Sequence, residues 1–322
     1  SVLAPEELHA MACGLSSILN ISSNSQKSFS TSEQWKKLQR YFISKYALPK
    51  IDSSNLESTW DLACTFCEMD GNIYRPMNFL ATIRTSNNNI HSDYKKYLLL
   101  EHVLQVVQDE SRLLSILFCS NSQELESVNE NDIVTFIWAP IFNKILKLKQ
   151  LIHLETGETI TKYSSVSKQD LYRKKNIAGF KFDFRALNVK NGFEVDFAAC
   201  EVSKNAMKSK LFHDNSKVVR EAKNALDFIH ILTGHKCNDS LYSWVVQISD
   251  LQCKLSTMHL ARNSLYVSVP QFEFSFPKDI SELENFLDIY ACINTFVVNG
   301  YRKNMLMNVF DFTVCSINVK SC

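Results

Sequence analysis

Glycine and proline are scarce, at 7 and 6 in 322 residues. So little glycine argues against a Gly-rich phosphate loop, and neither G-x-G-x-x-G nor G-x-x-x-x-G-K-[ST] occurs. Gly157-Glu158-Thr159-Ile160-Thr161-Lys162 has the outline of such a loop but lacks the glycine that should precede its lysine. A G-x-S-x-G nucleophile elbow and an H-E-x-x-H metal helix are also missing. No apolar run approaches the roughly 18 residues of a membrane span. The formal net charge is only +1, which predicts no global attraction to nucleic acid or membrane, so such a partner must be held by a local patch.

Hydrophobic residues make up 45% and charged residues 21% of the chain, the balance of an ordinary globular protein. The length suits one large domain or two ordinary ones. The 10 cysteines are scattered, and several sit in apolar runs such as Ile116-Leu117-Phe118-Cys119 and Ala198-Ala199-Cys200. That placement predicts buried, reduced thiols in an intracellular protein, nuclear or cytoplasmic, rather than a disulfide framework. The chain opens at Ser1 without a methionine or an apolar signal region, as a fragment or processed form would.

Two halves differ in pattern. Residues 1–132 read as a helical region. Leu8, Met11, Leu15 and Ile18 recur at helical spacing, and Ser30-Thr31-Ser32-Glu33 offers a capping box before Trp35, Leu38, Tyr41 and Phe42, with Pro49 as the stop. Leu56 to Met69 continues the pattern, and Tyr97 to Phe118 is the longest stretch. Residues 133–322 read as an α/β domain. A helix is expected from Pro140, then two strands, Gly179 to Leu187 and Phe193 to Val202, joined at Asn191-Gly192. Ser216 to Leu232 follows as a helix capped by Ser216 and ended near Gly234. Leu241 to Leu260 and Leu265 to Phe276 read as further strands, with Pro270 marking a bulge or edge. A helix opened by Ser281-Glu282-Leu283-Glu284 and a closing strand from Val309 to Val319 complete an α+β chain.

Charge divides the same way. Residues 101–135 carry a balance of −6, and residues 171–224 one of +6 from twelve bases against six acids. Arg173, Lys174, Lys175, Lys208, Lys210, Lys217, Arg220 and Lys223 are the candidate nucleic-acid contacts in the basic stretch. The plainer alternative is a solvated face.

The hairpin is the place where chemistry is legible. In Phe180-Lys181-Phe182-Asp183-Phe184-Arg185, a period of two sets Lys181, Asp183 and Arg185 on one face and the rings on the other. On the partner strand Glu201 interrupts an apolar stretch, and a carboxylate there must be paired, hydrogen-bonded or metal-bound. Two carboxylates on adjacent strands suit Mg²⁺, and a nearby lysine suits a phosphodiester's developing charge.

On Phe182-Asp183 and Glu201-Val202-Ser203-Lys204, residues 133–260 resemble the PD-(D/E)xK, or restriction-endonuclease-like, superfamily. The resemblance implies a restriction-endonuclease-like α/β half with a mixed sheet and an Mg²⁺-dependent phosphodiesterase (nuclease) acting on nucleic acid. Asp183 and Glu201 would be the metal ligands, and Asp183, Glu201 and Lys204 the catalytic set. The chain departs from the pattern twice. The motif's proline is absent, and two residues rather than one separate Glu201 from Lys204, so a regular strand points them to opposite faces. A bulge would bring Lys204 round; otherwise Ser203 takes the lysine's place. Lys217, Arg220 and Glu221 share a polar stripe of the next helix, flanked by Lys223, and could contribute.

Other readings compete. Asp183 pairs with Lys181 or Arg185 and Glu201 with Lys204 if the carboxylates are merely ion-pair partners. The rival function is a non-catalytic interaction protein that keeps the fold and binds a protein or nucleic-acid partner. Cys64-Thr65-Phe66-Cys67 has metal-ligand spacing but no second pair.

Overall fold

The computed structural model describes residues 4–86, 91–111, 113–114, 128–147, 153–173, 177–190, 193–204, 208–233, 241–262 and 264–309. Five helices come first: α1 (Pro5–Leu15), α2 (Ser32–Tyr46), α3 (Ser54–Asp70), α4 (Tyr74–Ser86) and α5 (His91–Asp109). Between α1 and α2 lies the short strand β1 (Ile18–Asn20). A helical turn at Glu130–Asp132 runs through a π-helix, Ile133–Trp138, into α6 (Ala139–Lys147). Then follow β2 (His153–Ile160), α7 (Lys162–Tyr172), β3 (Lys181–Lys190), β4 (Phe193–Ser203) and α8 (Lys208–Leu232). Strands β5 (Tyr242–Ser249), β6 (Gln252–Arg262) and β7 (Leu265–Ser275) lead to α9 (Phe286–Val309).

The fold is mixed α/β, built on a seven-stranded sheet in the order β1-β7-β6-β5-β4-β3-β2. It is a mixed sheet: β1 with β7 and β4 with β5 are parallel, and the other pairs antiparallel. Its β1 edge is supplied by the helical region, where no strand was expected. Three residues carry too short an alternation to read, and the pairing comes from β7.

Two apolar layers sandwich the sheet. On one side Val218, Val219, Ala222, Leu226 and Ile229 form a stripe of α8 against Val195, Ala199 and Val245. Each valine, leucine or isoleucine among them, once fully buried, contributes about 1.5–3 kcal/mol. The larger core joins Leu56, Trp60, Leu99, Val103, Trp138 and Phe142 to Phe184, Trp244 and Phe296, so buried packing continues across residue 132. Trp60 is anchored there by its indole N–H, which donates to the Leu283 carbonyl at 2.8 Å.

Several expectations shift. Helix α1 buries His9, Ala10 and Cys13, while Leu8, Met11 and Leu15 are 46, 46 and 82% exposed. The chain leaves the helix at Leu15, takes a left-handed Ser17, and carries Ile18 into β1. Ser216 is no cap: α8 starts at Lys208, and the Ser216 hydroxyl donates back to the Phe212 carbonyl at 2.8 Å, as a mid-helix serine can. Ahead of α9, Asp279 rather than Ser281 caps, accepting from the Ser281 N–H at 2.8 Å. The long run from Leu241 breaks at Asp250, whose φ is +53°, into β5 and β6.

The bulge at Pro270 is present. Ser256 pairs with Pro270 and Leu255 with Phe272, so Gln271 is the extra residue. Its side chain bonds the Tyr46 carbonyl, the Leu48 N–H and Thr257 Oγ1, and β1 has already ended at Ser268, so the proline interrupts no ladder on that side. The turn at Asn191-Gly192, Gly234 and the closing strand beyond Val309 lie outside the described residues. Cys13, Cys64, Cys67, Cys200, Cys253 and Cys292 are buried free thiols; Cys119 lies outside the described residues. No helix among the described residues is long and apolar enough to cross a membrane.

Candidate functional site

Strands β3 and β4 pair with Phe184 opposite Cys200. Asp183 precedes Phe184 and Glu201 follows Cys200, so the two acids lie at the end of this ladder, close enough for the charge of Asp183 to act on Glu201. The Asp183 carboxylate accepts the Val202 N–H at 2.7 Å. Glu201 is 5% exposed. Helix α8 covers this face, and Lys217 Nζ lies 2.6 Å from Glu201 Oε1. The lysine that meets the acid pair is therefore Lys217.

Lys204 goes elsewhere. Its N–H donates to Glu130 at 3.2 Å, and its charge falls on Asp250. Burial pushes the Asp250 carboxyl up to about 6, with Lys204 opposing the rise. Three residues from Glu201 along a strand, Lys204 has the wrong parity for the α8 face. Ser203 is not a substitute, because its buried hydroxyl donates to the Ile248 carbonyl at 3.2 Å.

Nor do the carboxylates pair along their own strand. Lys181 Nζ is 2.6 Å from Glu158. Arg185 is held by Glu155 at 2.7 Å and Asp196 at 3.0 Å, with Glu194 at 3.5 Å. The two rings part as well: Phe182 joins the apolar cluster of α8, and Phe184 the larger core.

The site is electrostatically loaded. Burial drives Glu201 up to about 8; the bond and charge of Lys217 pull it down, while Asp183 and Asp214 add to the rise. Asp183 is raised chiefly by burial, against the Val202 N–H and Lys217. Asp214 of α8 is 4% exposed, and its Oδ2 has no hydrogen-bond partner among the described residues. Three acids thus feel one another around a single lysine. Among the described residues no three His, Cys, Asp or Glu side chains gather closely enough to hold a metal ion by themselves, Cys64 and Cys67 included.

Of the expected nucleic-acid contacts, four bases spread along α8. Lys210 pairs with Glu130, Lys217 with Glu201 and Lys223 with Asp227, the last at 2.7 Å. Arg220 lies over the Phe180 ring, 4.6 Å from its centre. Arg173 is exposed at the end of α7. Lys174, Lys175 and the Lys208 side chain lie outside what is described.

A polar seam that the sequence reading missed extends the site toward α1. Glu201 stands beside Gln247 of β5. Asn215 Nδ2 donates to Gln247 at 2.9 Å, and Asn215 Oδ1 accepts from Asn20 at 2.8 Å and lies 2.9 Å from His9 Nε2. His9 is 1% exposed and its other nitrogen sits 2.5 Å from Ser25 Oγ. Burial lowers its pKa, which suits a neutral imidazole. Such linkages over nearly two hundred residues leave no local sequence signal. His9→Ala is expected to lower stability by about 2 kcal/mol, the cost of removing one partner each from Ser25 and Asn215, as read by urea unfolding. A loss below a few tenths would mean that the seam is solvated.

Compared with family models, curated proteins and solved structures, the chain matches none.

Proposed function

We propose that the chain is a divergent, restriction-endonuclease-like metal-dependent nuclease domain that acts on or binds nucleic acid. The observation that carries the reading is half-buried Asp183 and buried Glu201 at the end of the β3–β4 ladder under α8, with Lys217 at 2.6 Å from Glu201. The donor set fits Mg²⁺: hard carboxylate oxygens in excess of the local cation, including the orphaned oxygen of Asp214. Mg²⁺ commonly takes one or two carboxylates and completes its shell with water and phosphate, so the pair is sufficient. When bound, the ion would supply an activated water and neutralise phosphoryl charge. The chain's own residues do the rest. Asp183 is oriented by the Val202 N–H, Glu201 is kept from bulk water by α8, and Lys217 presents a cation where charge develops on a phosphodiester.

Lys217 replaces Lys204 in the proposed catalytic set, and Asp183 and Glu201 keep their places. The rival reading, an interaction protein retaining the fold, draws on the same contact, since Lys217 Nζ already holds a Glu201 oxygen at 2.6 Å without any metal.

Thermal melts with Mg²⁺ or Mn²⁺, run beside cleavage of a labelled oligonucleotide, separate the two. A ligand at a hundred times its Kd adds about 2.7 kcal/mol, or roughly 5 °C in a chain of this size. Asp183→Asn should abolish both the shift and the cleavage, and Lys217→Met the cleavage alone. Lys204→Ala should change neither. A parent protein that shows no response to either metal leaves the carboxylates as ion-pair partners and favours the rival.

A further inference from the structure

Beside the acid pair, α7 and α8 bring further cations onto one aromatic ring. Lys168 Nζ stands 3.1 Å from the centre of Phe180, and the Arg220 guanidinium carbon 4.6 Å from it. The Phe180 and Phe182 rings meet edge to face at 6.5 Å, and Lys217 lies 5.9 Å from the centre of Phe182. Three positive side chains therefore line a path that begins at Glu201 and ends at Lys168.

The ring is held in place. The Gly179 N–H donates to Ser165 Oγ of α7 at 2.9 Å. A Cβ at Gly179 would stand 3.0 Å from Ile160 and 3.1 Å from Ser164, so the backbone lies close against the end of β2 and the start of α7. Phe180 follows directly, at the mouth of β3.

Two cations on one ring gain from its quadrupole, but they repel each other, and Lys217 adds to that repulsion. The acid nearest them, Glu221, is 2% exposed and already accepts from Thr161 and Asn224. Lys217 is already engaged by Glu201 and Arg220 Nε donates to the Ser216 carbonyl at 2.8 Å, so the cations gathered on the Phe180 ring itself are Lys168 and Arg220. Lys168, Phe180 and Arg220 are all half-buried, so an incoming anion would meet partly dehydrated donors.

We propose that Lys168 and Arg220, braced on Phe180, form a binding site for a backbone phosphate of a nucleic-acid strand whose neighbouring phosphodiester lies at Asp183, Glu201 and Lys217. The identity of the ligand as nucleic acid rests on the nuclease reading above; the anion site itself rests on the gathered cations. Lys168 lies outside the basic stretch singled out in the sequence, and Arg220 is its partner across the ring.

The test measures binding without chemistry. The full chain is titrated with a fluorescently labelled oligonucleotide, single-stranded and duplex, in EDTA over a range of salt. The Lys168→Gln, Arg220→Gln double variant should bind roughly tenfold more weakly, and its log Kd against log salt should lose at least about one unit of slope. The charge-keeping Lys168→Arg, Arg220→Lys variant should bind like the parent. The metal-dependent melting shift should survive in both, because neither touches Asp183 or Glu201. Unchanged affinity and slope in the double Gln variant would overturn the proposal. So would equal weakening in the charge-keeping variant, which would trace the loss to packing. No binding by the parent at low salt would overturn it as well, while the melting shift would still report separately on the metal reading.

Discussion

Glu201→Gln should make the metal-free protein more stable than its parent at pH 9, by roughly 3–5 kcal/mol from a displacement of this size, and should erase the response to Mg²⁺. The folded carboxyl sits at about 8, raised by burial, against about 4.3 in the unfolded chain. Below both values each state is protonated, and this group's contribution is complete. Between them the folded state keeps a proton that the unfolded state has lost, so raising the pH drains stability until the folded group ionises near pH 8. Glutamine stays neutral throughout, and that part of the slope should vanish. The slope due to Asp183, also raised by burial, should remain. Urea unfolding at pH 5, 7 and 9 measures the difference. A variant whose stability falls with pH as steeply as its parent's would mean that Glu201 is ionised in the fold at neutral pH, held by Lys217 as an ordinary ion pair. The metal response gives a second readout, since the cation and the proton compete for the same oxygens.

The hairpin was legible because two local signals agreed. Alternation over Phe180 to Arg185 marked β3, and a charge inside an apolar run marked Glu201 as a residue needing a partner. The partner was the illegible part. The motif's residue types pointed to Lys204 although its spacing is one residue too long, and strand parity sends Lys204 toward Asp250, while the cation arrives from α8, sixteen positions along the chain. Nothing local distinguishes Lys217 from Lys210 or Lys223, which are spent on Glu130 and Asp227. Only the docking of α8 on the sheet selects among them, and that docking depends on the stripe from Val218 to Ile229.

Edge elements failed for a different reason. Strand β2, His-Leu-Glu-Thr-Gly-Glu-Thr-Ile, is largely exposed and polar, so it has no buried face to print a period of two. Strand β1 is three residues long, and α7 mixes lysines and serines with few apolar positions. All three border the candidate site or its polar seam. Exposed, weakly patterned elements leave polar side chains near the sheet's ends, where a site can be built without disturbing the core.

Trp138→Ala is expected to cost about 4 kcal/mol, among the largest single losses available to this chain. The indole is 0% exposed and packs against Phe142, Phe274 and Phe276 with ring centres 6.0–6.1 Å away. Its N–H donates to the Asp250 carbonyl at 3.0 Å. Asp250 in turn gives its N–H to the Ser203 carbonyl at 2.9 Å, two residues beyond Glu201. The π-helix that carries Trp138 therefore steadies the end of β4 through the β5–β6 turn, and the alanine variant should lose both core packing and that support. Trp138→Phe separates the two contributions. It keeps most of the apolar volume and should cost about 1–2 kcal/mol, mainly for the orphaned carbonyl. If the structural chain holds, the phenylalanine variant should also show faster amide exchange at Asp250, with the protection of Leu226 and Ile229 on α8 unchanged. Equal losses for the two variants would place the whole effect in the hydrogen bond, and a loss below about 1 kcal/mol for alanine would mean that Trp138 lies outside the cooperative core.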